Sequence, residues 1–181
     1  MLPHIAFIGR AGAGKTTAAE MLVKDHGYER LSFAAPLKVA CGTTTDRGLL
    51  QHVGCAVRDL VPDFWVNLLI ADLEARGGRP DPDEPYAFKL PRFVVDDARF
   101  GNEVARLRLE GFVIVRVVAP RNTRVLRLRA NGKLQDEAQL EHVSETELDE
   151  FAHDYRIVND GDPHRLAYCL ADILDKEARK S

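Results

Sequence analysis

The run Gly9-Arg10-Ala11-Gly12-Ala13-Gly14-Lys15-Thr16 carries the clearest chemical signal in the chain. It matches the pattern G-x-x-x-x-G-K-[ST]. The chemistry this spacing serves is phosphate binding. Glycines let the backbone turn so that its N–H groups point inward, and a following helix N-terminus adds partial positive charge. Gly12, Ala13 and Gly14 supply such amides. Lys15 is expected to reach the β- and γ-phosphates of a nucleotide, and the Thr16 hydroxyl to ligate Mg²⁺. ATP or GTP with Mg²⁺ is therefore the first expectation.

Arginine gives the second signal. Of 25 basic residues, 18 are Arg. Charge is also segregated along the chain. From Arg99 to Arg129 there are eight Arg against two acids, Glu103 and Glu110. From Asp136 to Asp154 there are eight acids and no Lys or Arg. The guanidinium fork suits bidentate phosphate contacts. An Arg-rich segment inside a chain of net charge −3 points to a small anionic ligand, not to a grip on a long polyanion.

The elements that must hold these residues read as alternating strands and helices. Ile5-Ala6-Phe7-Ile8 is a short apolar run, as in a strand buried on both faces. Lys15 to about His26 reads as a helix stopped by Gly27, and Tyr28 to Phe33 as a second strand. A short helix is expected from Pro36 to about Cys41. Thr43-Thr44-Thr45-Asp46 is a capping stretch before Leu49, Leu50, Val53, Ala56, Val57 and Leu60, which keep helical spacing. Pro62 breaks that helix and Asp63 caps another. Arg76 to Pro91, rich in Pro, reads as a surface loop. Arg92 to Asp96 is a buried strand, Asn102 to Glu110 a helix, and Phe112 to Val118 a strand. Ala119 to about Phe151 is polar and helical in parts. Arg156 to Val158 is a last strand, and Pro163 opens a C-terminal helix. This order implies an α/β fold of three layers, with a parallel sheet of about five strands.

Length and composition bound the remaining classes. The 181 residues, 45% hydrophobic, suffice for one domain with a real core. No apolar run reaches the roughly 18 residues of a membrane span, so no membrane partner is expected. No basic leader precedes the first strand, and Cys41, Cys55 and Cys169 are odd in number and far apart. Both features suggest a cytoplasmic protein with reduced thiols. Asn159-Asp160-Gly161 lacks the lysine of the guanine-reading motif N-K-x-D, which argues against a switch GTPase. Small nucleotide or metabolite kinases remain.

At this point the sequence resembles the phage-type deoxynucleoside monophosphate kinases, in the adenylate-kinase-like group of P-loop kinases. The matching stretches are IGRAGAGKTTAAEML, LSFAAPLK at Leu31 to Lys38, and RGLLQHVG with VRDLVPDFWVNLL between Arg47 and Leu69. DDARFGNE at Asp96 to Glu103, HVSETEL at His142 to Leu148 and VNDG at Val158 to Gly161 complete them. The resemblance implies one P-loop kinase domain, with a monophosphate-binding region at about 36–76 and a short lid at about 120–150.

The resemblance also implies roles. Lys15, Asp97, Arg124 and Arg127 would be catalytic, with Thr16 and Asp97 on the metal; Asp97 matches better than Asp96. Gly12, Ala13, Gly14, Lys15, Thr16, Thr17, Arg121 and Asn159 would hold the ATP. Arg10, Phe33, Lys38, Arg47, Arg58, Trp65 and Arg99 would contact the acceptor. Arg47 and Arg58 are eleven residues apart, about three turns, and so share roughly one helix face. Phe33 and Trp65 are candidates for base stacking, though large aromatics more often pack a core. The implied reaction is ATP-dependent phosphoryl transfer to a (deoxy)nucleoside monophosphate, by a monomer or homodimer in the (host) cytoplasm. The first alternative is a kinase acting on a hydroxyl of a hydroxymethylated pyrimidine, in a nucleotide or in DNA. The second is a nucleotide-binding switch without turnover.

Overall fold

The computed structural model describes residues 2–42, 46–77, 91–132, 140 and 146–180. Five strands and seven helices are set out over these residues. They are β1 (His4–Ile8), α1 (Lys15–His26), β2 (Glu29–Leu31), α2 (Ala34–Ala40), α3 (Arg47–Leu60) and α4 (Phe64–Ala75). Then follow β3 (Phe93–Val95), α5 (Gly101–Leu109), β4 (Phe112–Val118), α6 (Arg121–Ala130), β5 (Tyr155–Val158) and α7 (Pro163–Ala178). The central part of the expected 76–91 loop, and the stretches 133–139 and 141–145 of the expected lid, lie outside the described residues.

The chain forms two compact units, one of Met1–Arg30 with Arg92–Ser181 and one of Leu31–Pro91. The first holds the sheet, in the order β2-β3-β1-β4-β5. β1 pairs in parallel with β3 and with β4, and β4 with β5. Parallel pairing requires crossover helices, which then cover the faces of the sheet. Ile5 and Phe7 of β1, Val115 and Val117 of β4 and Ile157 of β5 are buried with Ala18, Ala19 and Leu22 of α1 and Leu166, Leu170 and Ile173 of α7. Each of the larger side chains among them (Val, Leu, Ile, Phe) contributes about 1.5–3 kcal/mol over its exposed state. α5 packs against β4. The α/β arrangement in layers is thus the one the alternating pattern implied.

Local chemistry explains most boundaries. Asp46 caps α3, its side chain accepting from Leu49 N at 3.1 Å. Asp162 caps α7 in the same way, from His164 N at 2.9 Å, with Pro163 in the first turn. Asp63 stands at the N-cap of α4 but makes no capping bond with its side chain. β2 ends at Leu31, short of the expected Phe33, because Phe33 already has helical backbone (φ −64°, ψ −33°) at the start of α2. Among the described residues no helix is long and apolar enough to cross a membrane.

The second unit holds α2, α3 and α4. Trp65 and Leu69 of α4 and Leu37 of α2 are buried in it. The Trp65 Nε1–H donates to the Gly54 carbonyl at 3.1 Å, so its one polar atom is satisfied inside.

Candidate active site

The phosphate loop runs between β1 and α1, and its shape depends on glycine. Gly9, Gly12 and Gly14 have φ of 131°, 77° and 104°, where a Cβ is strained. The space is closed as well. A Cβ on Gly9 would lie 2.2 Å from the Val117 carbonyl oxygen, and one on Gly14 would lie 2.1 Å from Asn159 Nδ2. Close approach of β4 and of Asn159 therefore fixes the loop from two sides.

Lys15 opens α1 and is 8% exposed. Its Nζ donates to the carbonyls of Gly9 and Arg10, the latter at 3.3 Å. Thr16 Oγ1 donates to Asp96 Oδ2 at 2.7 Å. Asp96 follows β3 directly, and its side chain is 2% exposed. Arg30, the middle residue of β2, forks onto it, with Nε 2.8 Å from Oδ1 and Nη2 on Oδ2. A buried carboxylate needs such a partner. Arg30, Asp96 and Thr16 thus form one chain of charge-assisted bonds across β2, β3 and α1.

α6 covers the loop from the other direction. Val125 and Leu128 pack with Ala11 and Leu140. Arg124 is buried and its Nη1 donates to the Ala11 carbonyl at 3.3 Å. Arg127 donates to Gly12 O at 3.3 Å, and its Nη2 reaches Asn159 O and Oδ1 at 3.4 Å. Asn159 Nδ2 in turn donates to Ala13 O at 2.9 Å. Two arginines and one asparagine, from α6 and the end of β5, therefore converge on three consecutive loop residues.

Comparison with known proteins places this arrangement. A shikimate kinase from Acinetobacter baumannii, solved in complex with shikimate, superposes with a TM-score of 0.63 over 100% of this chain and 96% of that one, at 19% identity. The chain has the P-loop kinase fold. An adenylate kinase of Bartonella bacilliformis is 34% identical over 74 residues, 41% of this chain. One of Novosphingobium aromaticivorans is 38% identical over 69 residues, 38% of this chain. The chain spans only 38% and 32% of the lengths of these two curated relatives. No family model matches it.

Within this P-loop kinase fold, the expected residues divide into groups. Gly12, Ala13, Gly14, Lys15, Thr16, Arg124, Arg127 and Asn159 come together around the loop. Thr17 is exposed on the first turn of α1, and Arg121 is exposed at the start of α6. Arg10 forks onto Asp149, with Nε 3.1 Å from both carboxylate oxygens. Asp97 is half-buried at the end of β3, while the acid that meets Thr16 is its neighbour Asp96. The resemblance to the kinase family points instead to Asp97. Successive residues leave a strand on opposite sides, so only one of the pair can face α1. Arg99 is half-buried before α5, its backbone N–H donating to Glu103 Oε2 at 2.7 Å.

The remaining candidates belong to the second unit. Phe33 and Trp65 are 6% and 5% exposed. That burial suits packing of the unit better than stacking on a base. Arg58 Nη1 donates to Gly54 O at 3.4 Å, one turn back in α3. Lys38 is exposed in the last turn of α2, and Arg47 is the first residue of α3.

Three residues with strong roles in this geometry belong to none of the motifs: Arg30, Arg116 and Asp149. Arg116 left a signal, being the single charge in the apolar strand Phe112–Val118. A cation there must have partners. It donates from Nη2 to Leu148 O at 2.6 Å and to Phe151 O at 2.7 Å.

Proposed function

We propose that the chain is an ATP-dependent kinase that transfers the γ-phosphoryl group to a (deoxy)nucleoside monophosphate. The observation that carries this reading is the bond from Thr16 Oγ1 to Asp96 Oδ2, 2.7 Å long, beside Lys15 at the N-terminus of α1. It sets a hydroxyl and a carboxylate together at the phosphate loop. Hard oxygen donors of this kind, few in number, suit Mg²⁺ held jointly with substrate phosphates and water. When bound, Mg²⁺ would neutralise charge on the nucleotide's terminal phosphates. Thr16 and Asp96 are the residues that would hold it, in place of the Thr16 and Asp97 pair expected from the sequence.

The other roles follow from position. The amides of Gly12, Ala13 and Gly14 bind the phosphates, and Lys15 faces the transferring group. Arg124 and Arg127 supply fixed positive charge beside the loop, where it offsets charge that develops during transfer. Asn159 with Arg127 orients the nucleotide, Thr17 and Arg121 standing at its edge. Asp97, Arg99 and Arg10 are assigned to the acceptor. A phosphate oxygen is already ionised at neutral pH and needs no strong base, so positioning and electrostatics supply the rate. The likeness to two proteins named adenylate kinase supports a monophosphate as acceptor.

The test is ADP release from ATP·Mg²⁺ over a panel of dNMPs, hydroxymethylated dNMPs and hydroxymethylated DNA. Release that depends on an unmodified dNMP is the expected result. Release only with a hydroxymethylated acceptor would replace the reading by hydroxyl phosphorylation, with Asp97 as the base. ATP binding without release under any acceptor would replace it by a switch.

A further inference from the structure

The carboxylate of Asp96 is held from two sides, and its lone pairs show what it has left to give. A carboxylate offers about four acceptor positions, two on each oxygen. Oδ2 accepts from Thr16 Oγ1 at 2.7 Å and from Arg30 Nη2, so both of its positions are used. Oδ1 accepts from Arg30 Nε at 2.8 Å, which leaves one position open. Thr16 gives its single hydroxyl proton to Asp96, so its own oxygen keeps its lone pairs.

Arg30 reaches Asp96 from β2, the edge strand beside β3. The last torsion of an aspartate is broad and roughly two-fold, so nothing intrinsic fixes the plane of its carboxylate. The bond from Thr16 restrains one oxygen only. A planar guanidinium that engages both oxygens fixes the plane. A lysine in its place would carry the same charge on one nitrogen and leave the plane free to turn. The consequence concerns the cation. Mg²⁺ is small, demands near-octahedral geometry and keeps several waters, whereas Ca²⁺ takes roughly six to eight oxygens and accepts carboxylates through both at once. A carboxylate with one open acceptor position suits the first ion and not the second.

We propose that Arg30 is a positioning residue that gives the site its preference for Mg²⁺ over Ca²⁺, by fixing the Asp96 carboxylate so that a single acceptor position remains for a cation. The inference rests on Thr16 and Asp96 as the residues that hold the metal. Arg30 acts through Asp96 and not on the nucleotide. No acceptor and no turnover enter its test.

The test is the melting temperature of the full chain with ADP at a fixed concentration, titrated with MgCl₂ or with CaCl₂. The quantity read is the ratio of half-saturating Ca²⁺ to half-saturating Mg²⁺. Metal binding by free ADP is common to every variant and cancels between them. In Arg30→Lys the ratio should fall about tenfold, the scale of one charge-assisted hydrogen bond. A loss of stability alone lowers every melting temperature and leaves the ratio in place. On an Asp96→Asn background, Arg30→Lys should leave the ratio unchanged, because the group that Arg30 orients has gone. An unchanged ratio in Arg30→Lys on the parent background overturns the proposal and leaves the metal assignment intact. So does an equal fall on both backgrounds, since Arg30 would then act otherwise than through Asp96. A parent chain whose melting with ADP does not respond to Mg²⁺ overturns the metal assignment itself, and the proposal with it.

Discussion

Lys15→Ala is expected to lower kcat for acceptor-dependent ADP release by about 10²–10³-fold. The ammonium opens α1, is 8% exposed, and bonds to the loop carbonyls of Gly9 and Arg10. Its point charge therefore lies where the terminal phosphates would arrive, in a site with little water to screen it. Removing it leaves the loop amides, Arg124 and Arg127 in place. Ground-state binding should suffer less than the transfer step, so KM for ATP should change by a smaller factor than kcat. Lys15→Arg should not restore the rate, because a planar fork does not replace a compact ammonium. Stability should change little, since Lys15 replaces no apolar packing. Steady-state kinetics with a thermal melt on the same samples make the measurement. A kcat within twofold of the parent would remove Lys15 from the chemistry.

Asp96→Asn carries the second large effect. The substitution keeps shape and removes charge. Thr16 Oγ1 can still donate to the amide oxygen, while Arg30 loses its carboxylate. About a hundredfold fall in kcat is expected, with a higher Mg²⁺ concentration needed for half-maximal rate. The stability loss should be small, because the Arg30 side chain is 42% exposed and solvent screens its charge. Asp97→Asn is the internal comparison and should cost less. If Asp97→Asn proved the more damaging and alone shifted the Mg²⁺ requirement, the metal-side role would return to Asp97.

That pair shows where sequence reading reaches its limit. β1, the loop and α1 were legible because an apolar run, a glycine-lysine pattern and a helical periodicity agree over Ile5 to His26. β4 was legible to the residue as Phe112–Val118, since its apolar run ends at Gly111 and Pro120. Which of Asp96 and Asp97 meets Thr16 depends on how the chain leaves β3, and the sequence does not encode that locally. Arg30 lies 66 residues from Asp96 and Arg10 lies 139 from Asp149. No periodicity or motif links residues so far apart. The arginines of α6 were legible as a cluster, but their bonds to the Ala11 and Gly12 carbonyls were not. Trp65 was a stacking candidate by type alone, and its bond to Gly54 inside the second unit appears only in the fold.

The segregated charges of the sequence also acquire partners. Among the described residues, Arg108 of the basic stretch meets Asp154 of the acidic one, while Asp149 of the acidic stretch meets Arg10 of the phosphate loop. Arg124 and Arg127 instead address the phosphate loop. A near-neutral total therefore coexists with local positive charge at the phosphate loop.

The proposed transfer of one phosphoryl group between nucleotides can be followed directly by ³¹P NMR of ATP·Mg²⁺ with a dNMP and the protein. The γ-phosphate signal of ATP should decline as the signals of ADP and a deoxynucleoside diphosphate grow in equal amounts, with no such change for Lys15→Ala. Growth of inorganic phosphate with the dNMP signal unchanged would contradict it.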